Sequence, residues 1–130
     1  MAENPFGDTD EQKAERRSYL LLIAASKDNA ALVQQYHKNI QAHVDEKASP
    51  LWVDSKGIGI LISTHLVAAE IWREMFQTKD AIKEADTRDI LIVEIGQDWA
   101  ARRDAKTEHW LSTHVGTPRP AAPHERVRRR

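Results

Sequence analysis

The stretch Asp89-Ile-Leu-Ile-Val-Glu-Ile-Gly-Gln-Asp-Trp99 constrains this chain most. Its β-branched run, opened by Asp86-Thr87-Arg88 and closed by Gly96, is the strongest strand signal present. Only Tyr19-Leu-Leu-Leu-Ile-Ala-Ala25 matches it. Both runs are apolar at consecutive positions, so neither reads as an edge strand with one wet side. They are therefore expected side by side at the centre of a sheet, with the remaining chain covering or extending that pair.

A chain of 130 residues with 41% hydrophobic content suits one domain with a buried core. Residues 1–17 are polar and charged, with Pro5 and Gly7, and hold no apolar run of the signal-peptide kind. Residues 116–130 carry three prolines and end in Arg-Val-Arg-Arg-Arg, a composition that does not pack. The expected layout is a disordered N-terminal tail over 1–17, a folded domain over 18–115 and a disordered basic tail over 116–130. The net charge of −1 hides an asymmetry: the last fifteen residues hold five Arg against one Glu, leaving −5 on residues 1–115. An acidic body disfavours a broad nucleic-acid surface. A tail with Arg126, Arg128, Arg129 and Arg130 suits a salt-sensitive contact with phosphates or an acidic partner. The chain has no cysteine, which excludes disulfides and thiolate sites and fits a cytoplasmic location. No apolar run approaches the roughly 20 residues of a membrane span.

Between the two strong strands the periodicity changes twice. After Ser26-Lys27-Asp28, which offers Ser26 or Asp28 as a cap, Leu32/Val33, Tyr36, Ile40 and Val44 fall at helical spacing. That helix is expected to run to about Glu46, before Ser49-Pro50. Leu51 to Gly57 and Gly57 to Ser63 read as a hairpin turning near Asp54-Ser-Lys-Gly57. Ser63-Thr64 is then expected to cap a helix from Leu66 to about Gln77, with Val67/Ala68, Ile71/Trp72 and Met75/Phe76 inward. A last helix is expected from Asp104 to His114, with Trp110 and Leu111 inward and Gly116 as its stop. The order β-α-β-β-α-β-α predicts an α+β, ferredoxin-like sheet with both crossover helices on one face and an added C-terminal helix.

That order and three strings resemble the superfamily of CRISPR adaptation subunits and virulence-associated protein D, above all its stand-alone SinR-like members. The strings are Tyr19-Leu-Leu-Leu-Ile, Gly59-Ile-Leu-Ile-Ser-Thr64 before a Leu66…Ile71-Trp72 helix, and Asp89-Ile-Leu-Ile-Val-Glu-Ile…Asp98-Trp99 before a Trp110-Leu111 helix. The likeness covers about residues 18–115. It implies the ferredoxin-like fold and a tendency to pair sheets in a homodimer. Nuclease-active members place an aspartate at the end of the first strand, where this chain has Ala24-Ala25-Ser26. Alanine cannot hold a cation and serine is a poor magnesium ligand, so the departure counts against metal-dependent phosphodiester cleavage.

Few residues suggest chemistry. Glu94 and Asp98 lie four apart near Arg102 and Arg103, so they can share a metal, divide acid and base roles, or simply form a salt-bridge cluster. His37 and His43, and His109 and His114, lack the i,i+4 spacing that puts two imidazoles on one helix face. Ser63-Thr64-His65 fits a cap better than a nucleophile. Of four tryptophans, Trp72 and Trp110 fall on helix stripes, whereas Trp52 and Trp99 are candidate partner-facing anchors.

The expected function is a non-enzymatic binding or assembly protein without cofactor, metal or small-molecule substrate, contacting a protein partner or nucleic acid through its basic tail and a partner-binding set of Trp52, Glu94, Asp98, Trp99, Arg102 and Arg103. Its edge strand at Leu51 to Asp54 is poorly guarded, so a homodimer with Trp52 near the contact is expected. Two alternatives belong to other classes: a metal-dependent ribonuclease-like hydrolase using Glu94 and Asp98, and a phage- or plasmid-encoded inhibitor of a host defence complex.

Overall fold

The computed structural model describes residues 16–77 and 82–122. By its internal contacts the chain divides into two compact units, Met1–Ile95 and Gly96–Arg130.

The first unit is a four-stranded antiparallel sheet in the order β2-β3-β1-β4, formed by β1 (Arg17–Ala25), β2 (Ser49–Asp54), β3 (Gly57–Thr64) and β4 (Thr87–Glu94). Two helices, α1 (Ala30–His43) and α2 (Ala68–Phe76), form its crossovers. The strand order and the helices are those of a ferredoxin-like α+β fold. Tyr19, Leu21 and Ile23 of β1 and Ile58, Ile60 and Ile62 of β3 share one core with Val33, Tyr36 and Ile40 of α1 and Ile71 and Met75 of α2. Alternation along each strand therefore points one set of side chains at the helices and the other set at the opposite face.

The two strongest strand runs do pair, in the register Tyr19 opposite Glu94 to Ala24 opposite Asp89. Their expected place at the centre is corrected: β4 is an edge strand, and β1 and β3 are central. All eight residues of β3 are buried, whereas Leu91 and Val93 of β4 are 48% and 39% exposed. Apolarity on both faces goes with half-burial of the second face in β1 and exposure of that face in β4.

Local chemistry shifts three expected boundaries. Asn29, not Ser26 or Asp28, caps α1 by accepting the Leu32 N–H. The helix ends at His43 rather than Glu46 because Asp45 leaves it to accept the backbone N–H groups of Lys47 and Ser63. Ser63 and Thr64 are the last residues of β3, opposite Ser18 and Arg17, so they do not cap α2. That helix starts at Ala68, after Val67 donates its N–H to the Glu70 carboxylate. The β2–β3 turn falls at Ser55-Lys56, where Asp54 Oδ1 accepts the Lys56 N–H at 2.7 Å.

The second unit holds α3 (Lys106–His114), which buries Trp110 and Leu111 and stacks His114 on Trp110 at 4.0 Å between ring centroids. It begins two residues later than expected, because Asp104 takes φ 64° and donates its N–H to Glu108. Gly116 ends it with φ 113°, and both Val115 and Gly116 donate to the Leu111 carbonyl. Arg119 donates its backbone N–H to Gln97, so the chain beyond Gly116 is tied down as far as Arg119. Arg126, Arg128, Arg129 and Arg130, and nearly all of the N-terminal tail, lie outside the described residues.

Candidate functional site

The sheet face opposite the helices carries the most distinctive surface of the first unit. Its middle row runs straight across all four strands: Trp52 opposite Gly59, Gly59 opposite Leu22, Leu22 opposite Leu91. The next row brings Leu61, Leu20 and Val93 into register. Gly59 makes the middle row continuous by leaving a gap in β3, into which its neighbours lean. A Cβ there would meet Leu22 Cδ2 at 2.9 Å and Trp52 Cε3 at 3.5 Å. Trp52, Leu22, Ala24 and Leu91 line a shallow groove of about 290 Å³. Trp52 is 45% exposed, and its indole N–H donates to Asp54 Oδ2 at 3.1 Å, which fixes the ring in place. At one end of the face Asp54 and Asp89 stand at the two outer strands, both exposed.

This face can bury apolar area against a partner, with an aromatic anchor already oriented and an acidic end to its rim. Among the described residues it brings together no nucleophile, acid and base.

The other expected site residues are dispersed. Glu94 is the last residue of β4, opposite Tyr19. Asp98, Trp99, Arg102 and Arg103 belong to the second unit, where among the described residues Asp98 forms no ion pair with either arginine. Trp99 is half-buried and donates its indole N–H to the Gly116 carbonyl at 3.2 Å. Ser63 is buried: its hydroxyl accepts from Arg16 Nε at 2.9 Å, its carbonyl accepts from the same guanidinium, and its N–H goes to Asp45. Among the described residues no group of three His, Asp or Glu side chains is placed to hold a metal. The end of β1 is a hollow lined by Ser26, Lys27, Asp28, Lys56 and Arg88. Three cations against one carboxylate make it repel a metal ion.

Two tyrosines have shifted acidities, and both serve the fold. Burial, followed by the nearby Glu94 carboxylate, raises Tyr19 above its usual 10.0. Burial, followed by Asp86, raises Tyr36. Each phenol donates to a backbone carbonyl, Tyr19 to Leu66 at 2.8 Å and Tyr36 to Asp86 at 2.7 Å.

Reading the sequence located Trp52 but missed Leu20, Leu22, Leu91 and Val93 as a surface. Their signal was present: the apolar positions of β1 and β4 that alternate with the core-facing ones. No protein-family model, curated protein or solved structure matches the chain. The fold therefore sets the class: an α+β protein with a ferredoxin-like strand order and a second apolar sheet face that is exposed at its outer strands. No helix among the described residues is long and apolar enough to cross a membrane.

Proposed function

We propose that this chain is a non-enzymatic binding and assembly protein that works through the helix-free face of its sheet. The observation that carries the reading is the row Trp52, Gly59, Leu22, Leu91, exposed at both ends and continuous across the sheet. Trp52 and Leu91, exposed at the two ends of this row, leave apolar area in water that a partner can cover. The acidic pair Asp54 and Asp89 at the edge of that face favours a protein partner over nucleic acid, whose phosphates they would repel.

Immobilised wild-type chain and Trp52→Ser provide the test. Proteins retained by the wild type and lost by the variant, with both folded by circular dichroism, support the reading. Identical retained sets remove the face from consideration. Magnesium-dependent RNA cleavage by the pure chain, abolished by Asp98→Ala, would overturn the non-enzymatic assignment.

A further inference from the structure

Three segments meet at the end of β1: the chain leaving that strand through Ser26-Lys27-Asp28, the β2–β3 turn at Ser55-Lys56, and the start of β4. Backbone hydrogen bonds hold them together. Ala25 donates its N–H to the Lys56 carbonyl at 2.8 Å, Ser26 donates to the Asp86 carbonyl at 3.0 Å, and Asn29 donates to the Ser55 carbonyl at 2.9 Å. The hollow at this junction has a volume of about 290 Å³ and is lined by Ser26, Lys27, Asp28, Lys56 and Arg88.

β4 contributes Arg88 by breaking its own alternation. Ala24 stands opposite Asp89 and Ala25 opposite Thr87, so Arg88 is the extra residue of a β-bulge. Ile90 and Ile92 pack against the core, and regular alternation would send Arg88 to that same side. The bulge brings it to the hollow instead.

Three cations from three segments thus share one small space with a single carboxylate, which leaves a charge of +2 (three positive less one negative). Among the described residues Lys27, Lys56 and Arg88 have no ion-pair partner. Asp28 accepts the Ser55 hydroxyl at 3.4 Å. Neighbouring acids are engaged elsewhere. Asp54 spends one carboxylate oxygen on the Lys56 N–H and the other on the Trp52 indole. Asp89 lines the groove beside Trp52, and Asp86 lines a separate cavity with Lys83. Helix α1 has no acidic residue in its first turn, so its N-terminal dipole adds to the positive field.

We propose that this hollow binds the dianionic phosphoryl group of a phosphomonoester. Such a group carries about −1.5 to −2 at neutral pH, which matches the charge of the hollow. Arg88 supplies a planar fork of donors, and the two lysines act as point charges. The Ser26 hydroxyl, without a partner among the described residues, is a further donor. A nucleic-acid strand fits poorly, because Asp54 and Asp89, exposed at this same end of the sheet, repel its further phosphates. The site lies beyond the apolar row and does not depend on it.

Amide NMR titration of the full chain, in phosphate-free buffer with ionic strength held by sodium chloride, tests the proposal. The probes are glycerol phosphate and a short phosphoserine peptide. Both should give saturating shifts at the amides of Ser26, Lys27, Lys56 and Arg88, with a dissociation constant of about 1 mM or below. The unphosphorylated peptide should give none. Arg88→Gln and Lys56→Gln should each weaken binding about tenfold. Lys38→Gln, at an exposed lysine of α1 outside the hollow, should not change it. The rest of each spectrum checks that the variant is folded. Tighter binding of the peptide assigns the phosphoryl group to a protein, tighter binding of glycerol phosphate assigns it to a small molecule, and either result supports the site. Shifts that never saturate overturn the proposal, as does equal weakening by Arg88→Gln and Lys38→Gln. So does an oligonucleotide without a terminal phosphate that binds at the same amides more tightly than both probes.

Discussion

Trp52 and Gly59 face each other across the β2–β3 ladder, and the absence of a side chain on Gly59 is what lets the Trp52 ring lean over β3. The indole is held from its other end by Asp54. An aromatic side chain on an edge strand thus becomes a fixed part of a surface rather than a mobile one. The two glycines of β3 make different demands, and they can be separated by substitution.

At Gly57 a Cβ would run into the Ile23 carbonyl oxygen, a backbone atom that cannot turn aside. At Gly59 the near atom is Leu22 Cδ2 at 2.9 Å, the end of a flexible side chain. Gly57→Ala should therefore cost about 1–3 kcal/mol through forced backbone movement, and Gly59→Ala less. Gly59→Ala should also shift the fluorescence of Trp52, measured in a background with the other three tryptophans replaced by Phe. Equal urea midpoints for the two alanine variants would contradict this account.

The placement of β4 at an edge yields a second expectation. Ile60 is fully buried in the central strand β3, whereas Ile92 is only partly buried against the core from the outer strand. Ile60→Ala should cost about 2–5 kcal/mol. Ile92→Ala should cost clearly less, since fewer neighbours are left around the cavity. Chemical denaturation of both variants ranks them, and the reverse ranking would return β4 to the centre.

The hydrophobic pattern of Tyr19 to Ala25 and Asp89 to Ile95 was enough to read the strands, their pairing and the α+β class. It could not rank centre against edge, because an apolar residue on an open face and one under a helix look the same in a sequence. Gly57 and Gly59 lowered the apparent strength of β3, yet they sit where two neighbouring strands crowd in and are buried for that reason. The site divided the same way. Trp52 was legible as an exposed aromatic on an edge, but the row joining it to Leu91 exists only through three registers that no local pattern contains.

Asp45 was also invisible to periodicity, being one charged residue after a helix. It is buried, and its carboxylate accepts the Ser63 N–H at 2.9 Å and the Lys47 N–H at 3.0 Å. Asp45→Ala leaves the buried Ser63 donor without its acceptor, at an expected cost of about 1–3 kcal/mol. Asp45→Asn keeps one acceptor oxygen and should lose less. Thermal melts at neutral pH test the order, and an alanine variant as stable as the wild type would show that water replaces the bond.

The last prediction concerns alkaline pH. Tyr19 and Tyr36 are the only tyrosines of the chain, both are buried, and both are held above the ordinary 10.0. Below pH 10.0 each phenol is protonated in folded and unfolded chains alike, so their contribution is complete. Above 10.0 the unfolded chain releases these protons while the native chain retains them, so the unfolded state binds fewer protons and stability falls as pH rises. The fall continues until the pH passes the native value, with a limiting slope of about 1.4 kcal/mol per pH unit for each tyrosine. Tyr36→Phe should lower stability at neutral pH by about 0.5–1.5 kcal/mol, because the bond to the Asp86 carbonyl is lost. The same variant should lose less on going from pH 9 to pH 11, since one of the two linked protons is gone. Urea unfolding of both proteins at several pH values between 8 and 11 gives the two curves, and parallel curves through that range would rule out the coupling at Tyr36.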